Sequence, residues 1–316
     1  MTANRHEHEW STEALFAKAQ RYAQMMLDSD RTEWQFGFWS ALALEMVARA
    51  ALASISPALV ADAKDWTNVL YALGHSPSET KCSPKSIDAN DLLKRLEAVF
   101  RSFTREMSNY SATHMNKRNS ELHSGALPFD GVGSSTWLPM FYLVCKTLCE
   151  AMGHSLATLF GGAEAKNAEE HISALLDDNA KSVRQTINAH KVIWEEKDEG
   201  EREKLTKQAE AAALRSLGHR TPCPACGAVA LVKGTSIGSP RTGVEDGYVV
   251  ERHAMLPAAF ACRACGLKIA GYSKLNACGL GDSFTSTTHY DAVDYFGIEV
   301  EDEESYKGYE EDNNEP

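Results

Sequence analysis

Cys223-Pro-Ala-Cys226-Gly227 and Cys262-Arg-Ala-Cys265-Gly266 repeat one chemical device at two places in the chain. Two residues between cysteines let both thiolates face one ion, and the glycine that follows permits the turn that frees backbone amides to bond the sulfurs. Four thiolates fill a tetrahedral shell and leave no position for water. Cys223, Cys226, Cys262 and Cys265 are therefore expected to hold structural zinc. The pairs lie 35 residues apart, more than the ~15–20 of compact sites of this kind, which predicts an elaborated hairpin between them with residues 236–246 as its mobile tip. His253 and Cys278 are the alternative ligands.

A second segment has the residue types for acid–base and phosphate chemistry: Lys117-Arg118-Asn119-Ser120-Glu121-Leu122-His123. Imidazole exchanges a proton near neutral pH, and guanidinium grips a phosphate with a two-pronged fork at any pH. Asn119 adds a neutral donor or acceptor. This set suits attack of a ribose 2′-hydroxyl on its own 3′-phosphate, which needs proton transfer and charge stabilisation but no metal. Five residues of ideal helix turn through about 140°, so Arg118 and His123 do not share a face. They converge if the helix frays before Gly125, or if two copies of the motif meet across a two-fold axis. Lys117 and His114 are candidates for further phosphate contacts, or for an ordinary solvated face. The alternative for the motif itself is that Arg118 pairs with Glu121 and His123 caps the helix end.

The elements that must position these groups are helical as far as about residue 218, with apolar residues recurring at helical spacing. Helices are expected from Ser11 or Thr12 to about Asp28, from near Thr32 through Ala53, over 65–73, over 88–103 and 104–124 as one or two helices, and over 134–160 as one long apolar helix. The second is apolar nearly all round, which predicts the central helix of a bundle. Glu45 and Arg49 interrupt it four residues apart, the spacing of a buried ion pair that would satisfy both charges. Ile172, Leu176, Ala180, Val183, Ile187, His190 and Trp194 step by three and four, predicting an amphipathic arm on which His190 is a core or interface residue. A charged linker helix with a break near Gly200 follows. After Gly218, short β-branched runs predict a β-rich module. The expected organisation is a helical domain over 1–162, a helical arm over 163–218, the zinc module over 219–298 and an acidic, disordered tail over 299–316.

The chain has 316 residues, 32 basic and 44 acidic, for a net charge of −12. Nine acidic residues and one basic residue lie in 299–316, which leaves 31 − 35 = −4 for the rest. Any nucleic-acid contact must therefore be a local patch. The first residues have no apolar run, and the richest apolar stretch is broken by Ser40, Glu45, Arg49 and Pro57. A cytosolic chain that neither carries a secretory signal nor enters a membrane is expected. In a reducing compartment the paired cysteines read as metal ligands rather than disulfides, and Cys145 and Cys149 as small buried hydrophobes.

The cysteine knuckles resemble those of zinc ribbons, over residues 219–280. Arg118-Asn119-Ser-Glu-Leu-His123, late in a helix that follows a buried apolar one, resembles the Arg-x(4–6)-His motif of the HEPN superfamily, over residues 9–160. That resemblance implies a mainly α, HEPN-like bundle and a metal-independent endoribonuclease acting as a homodimer on RNA in toxin or antiphage-defence systems, alongside an antitoxin or other partner protein. It implies Arg118, Asn119 and His123 as the catalytic set, with Glu45 as the further polar residue from an earlier helix. The alternative is a HEPN-like module without catalysis, which dimerises or binds nucleotide while the ribbon recognises a partner.

Overall fold

The computed structural model describes residues 8–75 and 83–297. The two prolines between His75 and Lys85 predict a loop that falls partly outside them, and the acidic tail lies wholly outside.

The chain opens with α1, Thr12–Leu27, whose Ser11 side chain accepts from the amide of Ala14 and so satisfies one of the four unpaired donors at a helix start. After a short turn α2, Trp34–Ile55, packs back along it. Six of the buried residues of α2 between Ala41 and Ala53 are alanines, and these small side chains let α1 approach closely. α3, Trp66–Ala72, α4, Ala89–Val99, and α5, Arg105–His123, begin at Asp65, Asp88 and Thr104, each of which caps its helix with a side-chain oxygen. Ser40 of α2 meets His114 of α5, and Glu45 meets Arg118. The contacts advance together along both helices, so α2 and α5 run in the same direction.

The single helix expected over 134–160 is divided. A 3₁₀ turn at Ser134–Thr136 leads into α6, Leu138–Ala151, and α7, Leu156–Phe160, follows after a break. Gly153 adopts φ +76°, the amide of His154 returns to the carbonyl of Cys149, and Ser155 caps the new helix. One left-handed glycine followed by a good N-cap outweighs a continuous apolar pattern.

α8, Gly162–Glu195, is 34 residues long, about 51 Å at 1.5 Å per residue. Its first part contributes Ala168 and Ile172 to the core of the helical bundle. Its last part contributes Val183 and Trp194 to a second core with Cys223, Cys262, Phe260, Leu267 and Leu275. The intervening Leu176 is 45% exposed. The expected arm is thus a spine shared by two cores. The break expected near Gly200 falls at residues 196–198, where Asp198 caps α9, Glu199–Leu214, and Gly200 lies inside that helix.

Beyond α9 the chain forms β1, His219–Pro222, β2, Val229–Glu245, β3, Tyr248–Ala261, and β4, Lys268–Ala270. A short helix α10, Tyr272–Ala277, precedes β5, Phe284–Asp291, and α11, Ala292–Phe296. The sheet is antiparallel in the order β1-β2-β3-β4, and β5 lies beside the first part of β3. Residues 236–246, expected as a mobile tip, are mostly strand. Arg241 to Glu245 pair residue by residue with Arg252 to Tyr248, leaving only Asp246 and Gly247 as the turn, at φ +49° and +83°. Two successive left-handed residues match the twist of a tight hairpin.

Among the described residues one helix, Trp34–Ile55, is long and apolar enough to cross a membrane, and two thirds of its most apolar window is buried inside the fold. Cys145 and Cys149 are buried as expected, and burial pushes the Cys149 thiol up to about 12.

Gly37, inside α2, tests how tightly this bundle is packed. A Cβ there would sit 2.3 Å from the Phe129 ring. Gly37→Ala is expected to destabilise the protein by about 1–3 kcal/mol through overpacking, although alanine is the better helix former. Urea unfolding measures this, and an unchanged midpoint would show that Phe129 moves aside freely.

Candidate functional site

The carboxylate of Glu45 lies between two guanidinium groups. Arg49, one turn along α2, donates from Nη2 to Oε1 at 2.8 Å and from Nε at 3.1 Å, while Arg118 of α5 donates from Nη2 to Oε2 at 2.5 Å. The three side chains are only 9%, 10% and 15% exposed for Glu45, Arg49 and Arg118. A carboxylate so desolvated needs both partners. The buried i,i+4 pair of Glu45 with Arg49 is present, and Glu45 also reaches Arg118. Arg118 does not pair with Glu121.

Two cations on one anion leave an excess positive charge in a partly dry setting. Among the described residues Arg118 Nε and Arg49 Nη1 are buried donors without a partner, although Arg49 also donates to the Ile87 carbonyl at 2.9 Å.

His123 is the last residue of α5 and is exposed. Ser124, not His123, caps this helix end, its hydroxyl donating to the Ser120 carbonyl at 2.7 Å. Within one chain α5 stays helical through His123, so the fraying that would turn the imidazole toward Arg118 is absent. Asn119 is half-buried between them in sequence, and Lys117 places its ammonium 6.0 Å over the Phe129 ring.

His114, expected as a phosphate contact, requires correction. It is 2% exposed, stacks on Tyr110 and lies against Trp137, Phe129 and Phe141. Met107, Ser111, His114 and Arg118 step along one face of α5 by three and four, and that face points inward. Ser40 Oγ donates to the Gly37 carbonyl, so it accepts from Nε2–H of His114 at 2.7 Å. Burial holds this imidazole neutral, its pKa lowered to about 3.

The cysteines converge as expected. All four sulfurs lie within 4.8 Å of one another, with Cys223 to Cys265 at 3.6 Å and Cys226 to Cys262 at 3.5 Å. Thiolates on a tetrahedral zinc, at about 2.3 Å from the ion, would be about 3.8 Å apart, so the set fits one zinc ion. Each knuckle closes in the same way. The amide of Gly227 returns to the Cys223 carbonyl and that of Gly266 to the Cys262 carbonyl, with φ of +74° and +78° at the glycines. The alternative ligands are engaged elsewhere: His253 Nδ1 is 3.3 Å from Ser236 Oγ, and the Cys278 thiol donates to the Leu275 carbonyl.

Two contacts anchor this module to the helices. His190 of α8 donates from Nδ1 to the Cys265 carbonyl at 2.9 Å, which makes it the interface residue expected from its stripe. Glu106, in the first turn of α5, accepts from the Ser273 hydroxyl at 3.0 Å at the start of α10. The same helix therefore touches the metal module at one end and carries Arg118 and His123 at the other.

Comparison of the chain with protein-family models, curated proteins and solved structures gave no match.

Three outcomes follow. Purified protein should carry about one equivalent of zinc, and Cys226→Ser should lose it together with the protease resistance of residues 219–291, because the four thiolates anchor a small core; retention of stoichiometric zinc by that variant would point to another ligand. Glu45→Ala should destabilise by about 3–5 kcal/mol, since it leaves two guanidinium groups facing each other without compensation. His114 binds its proton readily only when unfolded, so below pH 6.5 the unfolded state gains a proton that the native state refuses. Its contribution is lost progressively as the pH falls from 6.5 toward about 3, and His114→Gln should flatten that part of the stability profile measured by urea unfolding.

Proposed function

We propose that this protein is a metal-independent endoribonuclease acting as a homodimer. The observation that carries the reading is the excess positive charge of the Glu45–Arg49–Arg118 cluster, on the helix that ends in the exposed imidazole of His123. Glu45 positions Arg118, which stabilises the charge that builds on a phosphate as the 2′-oxygen attacks. His123 takes the proton of the 2′-hydroxyl or returns one to the departing 5′-oxygen, and Asn119 orients the phosphate. The phosphorus bond to the 5′-oxygen breaks, leaving a 2′,3′-cyclic phosphate and a 5′-hydroxyl.

Arg118 and His123 are about 7.5 Å apart along the axis of α5 and about 140° apart around it. The reading therefore takes His123 from one protomer and Arg118 from the other. Leu122, 53% exposed beside His123, and Leu127, 64% exposed in the loop that follows, supply apolar surface for such a contact. Zinc is structural in this reading and plays no part in cleavage. The resemblance to HEPN domains extends it to a growth-arresting toxin or defence effector, restrained by a partner protein.

A second reading, a HEPN-like binding module without catalysis, is favoured by the engagement of the half-buried Arg118 with Glu45, which gives the guanidinium a structural role of its own. Cleavage decides between the two. Zinc-loaded protein should cut single-stranded RNA in the presence of EDTA, and His123→Ala should lower the rate by about 10²–10⁴-fold without changing the dimer. Cleavage by His123→Ala at the parental rate, or no cleavage by a folded dimer, would sink the enzymatic reading.

A further inference from the structure

We infer that the metal module carries its own binding groove for single-stranded RNA, remote in sequence from Arg118 and His123. The groove encloses about 750 Å³ between the segment that follows α9, the strands β1 and β2, and the first half of β5. Among the described residues no carboxylate lines it. Its charged side chains are Arg220 and Lys233, and neither pairs with an acidic group among the described residues. Arg220 is steadied by the Ala213 carbonyl at the end of α9, which accepts from its Nε and Nη2 at 3.3 Å each. Lys233 is exposed.

The groove also has a stacking platform. His219 and Phe284 lie ring on ring, 4.9 Å between centroids and 22° between planes, and His219 is exposed. Gly234 makes this possible. A Cβ there would sit 3.0 Å from the tip of the Phe284 ring and 2.7 Å from the Leu256 carbonyl, so only glycine lets the phenyl ring lie down against the strand beside the irregularity in pairing at Lys233 and Gly234. Along the other wall, Thr285, Ser286, Thr287 and Thr288 line β5, which pairs with β3 alone. Cations without an acidic partner that track a backbone, flat rings that accept any base and hydroxyls that bond sugars or base edges are the parts of a single-strand binding surface. A duplex, with its bases stacked inside, has no use for the ring pair.

The groove stands whether or not the protein cuts RNA, and the experiment keeps the two apart. Full-length His123→Ala protein, which has an intact groove, is titrated against a fluorescein-labelled single-stranded RNA of about 12 nucleotides and followed by anisotropy. Adding His219→Ala or Lys233→Ala is expected to weaken binding by about tenfold each, with zinc content unchanged. Lys233→Ala should also reduce the slope of log affinity against log salt by about 0.7, the signature of one lost phosphate contact. Thr287→Glu places a carboxylate in the groove without touching the rings and should weaken binding as well. The inference is overturned if these variants bind as tightly as their parent. It is equally overturned if duplex DNA binds as well as the single strand, or if free AMP displaces the strand at the strand's own concentration.

Discussion

A carboxylate buried between two guanidinium groups is the constraint on which the helical half depends. Glu45 sits in a helix otherwise apolar nearly all round, where an unpaired charge would be far too costly to desolvate. Its partners therefore have to arrive from defined directions: Arg49 from the next turn of α2, and Arg118 from α5. Arg49 reaches further, to the carbonyl of Ile87 just before α4. One ionic cluster thereby fixes the mutual register of three segments, with a directionality that apolar packing by itself does not supply. The same requirement holds Arg118 in a fixed position at the candidate site.

The metal module solves a different problem. Its core is small, built around Phe260, Leu267, Ile269 and the knuckle residues themselves, and it borrows Val183 and Trp194 from α8. Four thiolates sharing an ion would supply the cohesion that so few apolar side chains cannot. The module is then clasped from two sides, by His190 against the Cys265 carbonyl and by Glu106 against Ser273. It is consequently joined to the bundle through defined polar contacts as well as through a shared helix.

Local signals carried far in this sequence. Ser11, Asp65, Asp88 and Thr104 cap their helices because a side-chain oxygen next to free amides is a short-range matter, decided within three residues. The knuckles were legible for the same reason. Features that needed a distant partner were not. Whether Arg118 pairs with Glu121 or Glu45 depends on how α2 and α5 pack, and the inward face of α5 that buries His114 appears only once Trp137, Phe129 and Phe141 surround it. His219 and Phe284 stand 65 positions apart, so no spacing rule joins them (284 − 219). The division of 134–160 at Gly153 was within reach, since a glycine followed two residues later by serine is a stop-and-start signal that an unbroken apolar pattern obscured.

α8 has a consequence for how the chain can be divided. Because Ile172 is covered by one core and Val183 and Trp194 by the other, a cut anywhere in this helix strips apolar cover from at least one side. The stretch around Leu176 looks like a linker by its exposure, yet it is the middle of an unbroken rod whose two ends are both foundations. The two halves therefore hold a set separation and rotation that a flexible tether would not preserve. Lengthening α8 by a single residue would turn the metal module by about 100° around the axis of the bundle's last helix, so its length acts as a gauge of angle as much as of distance.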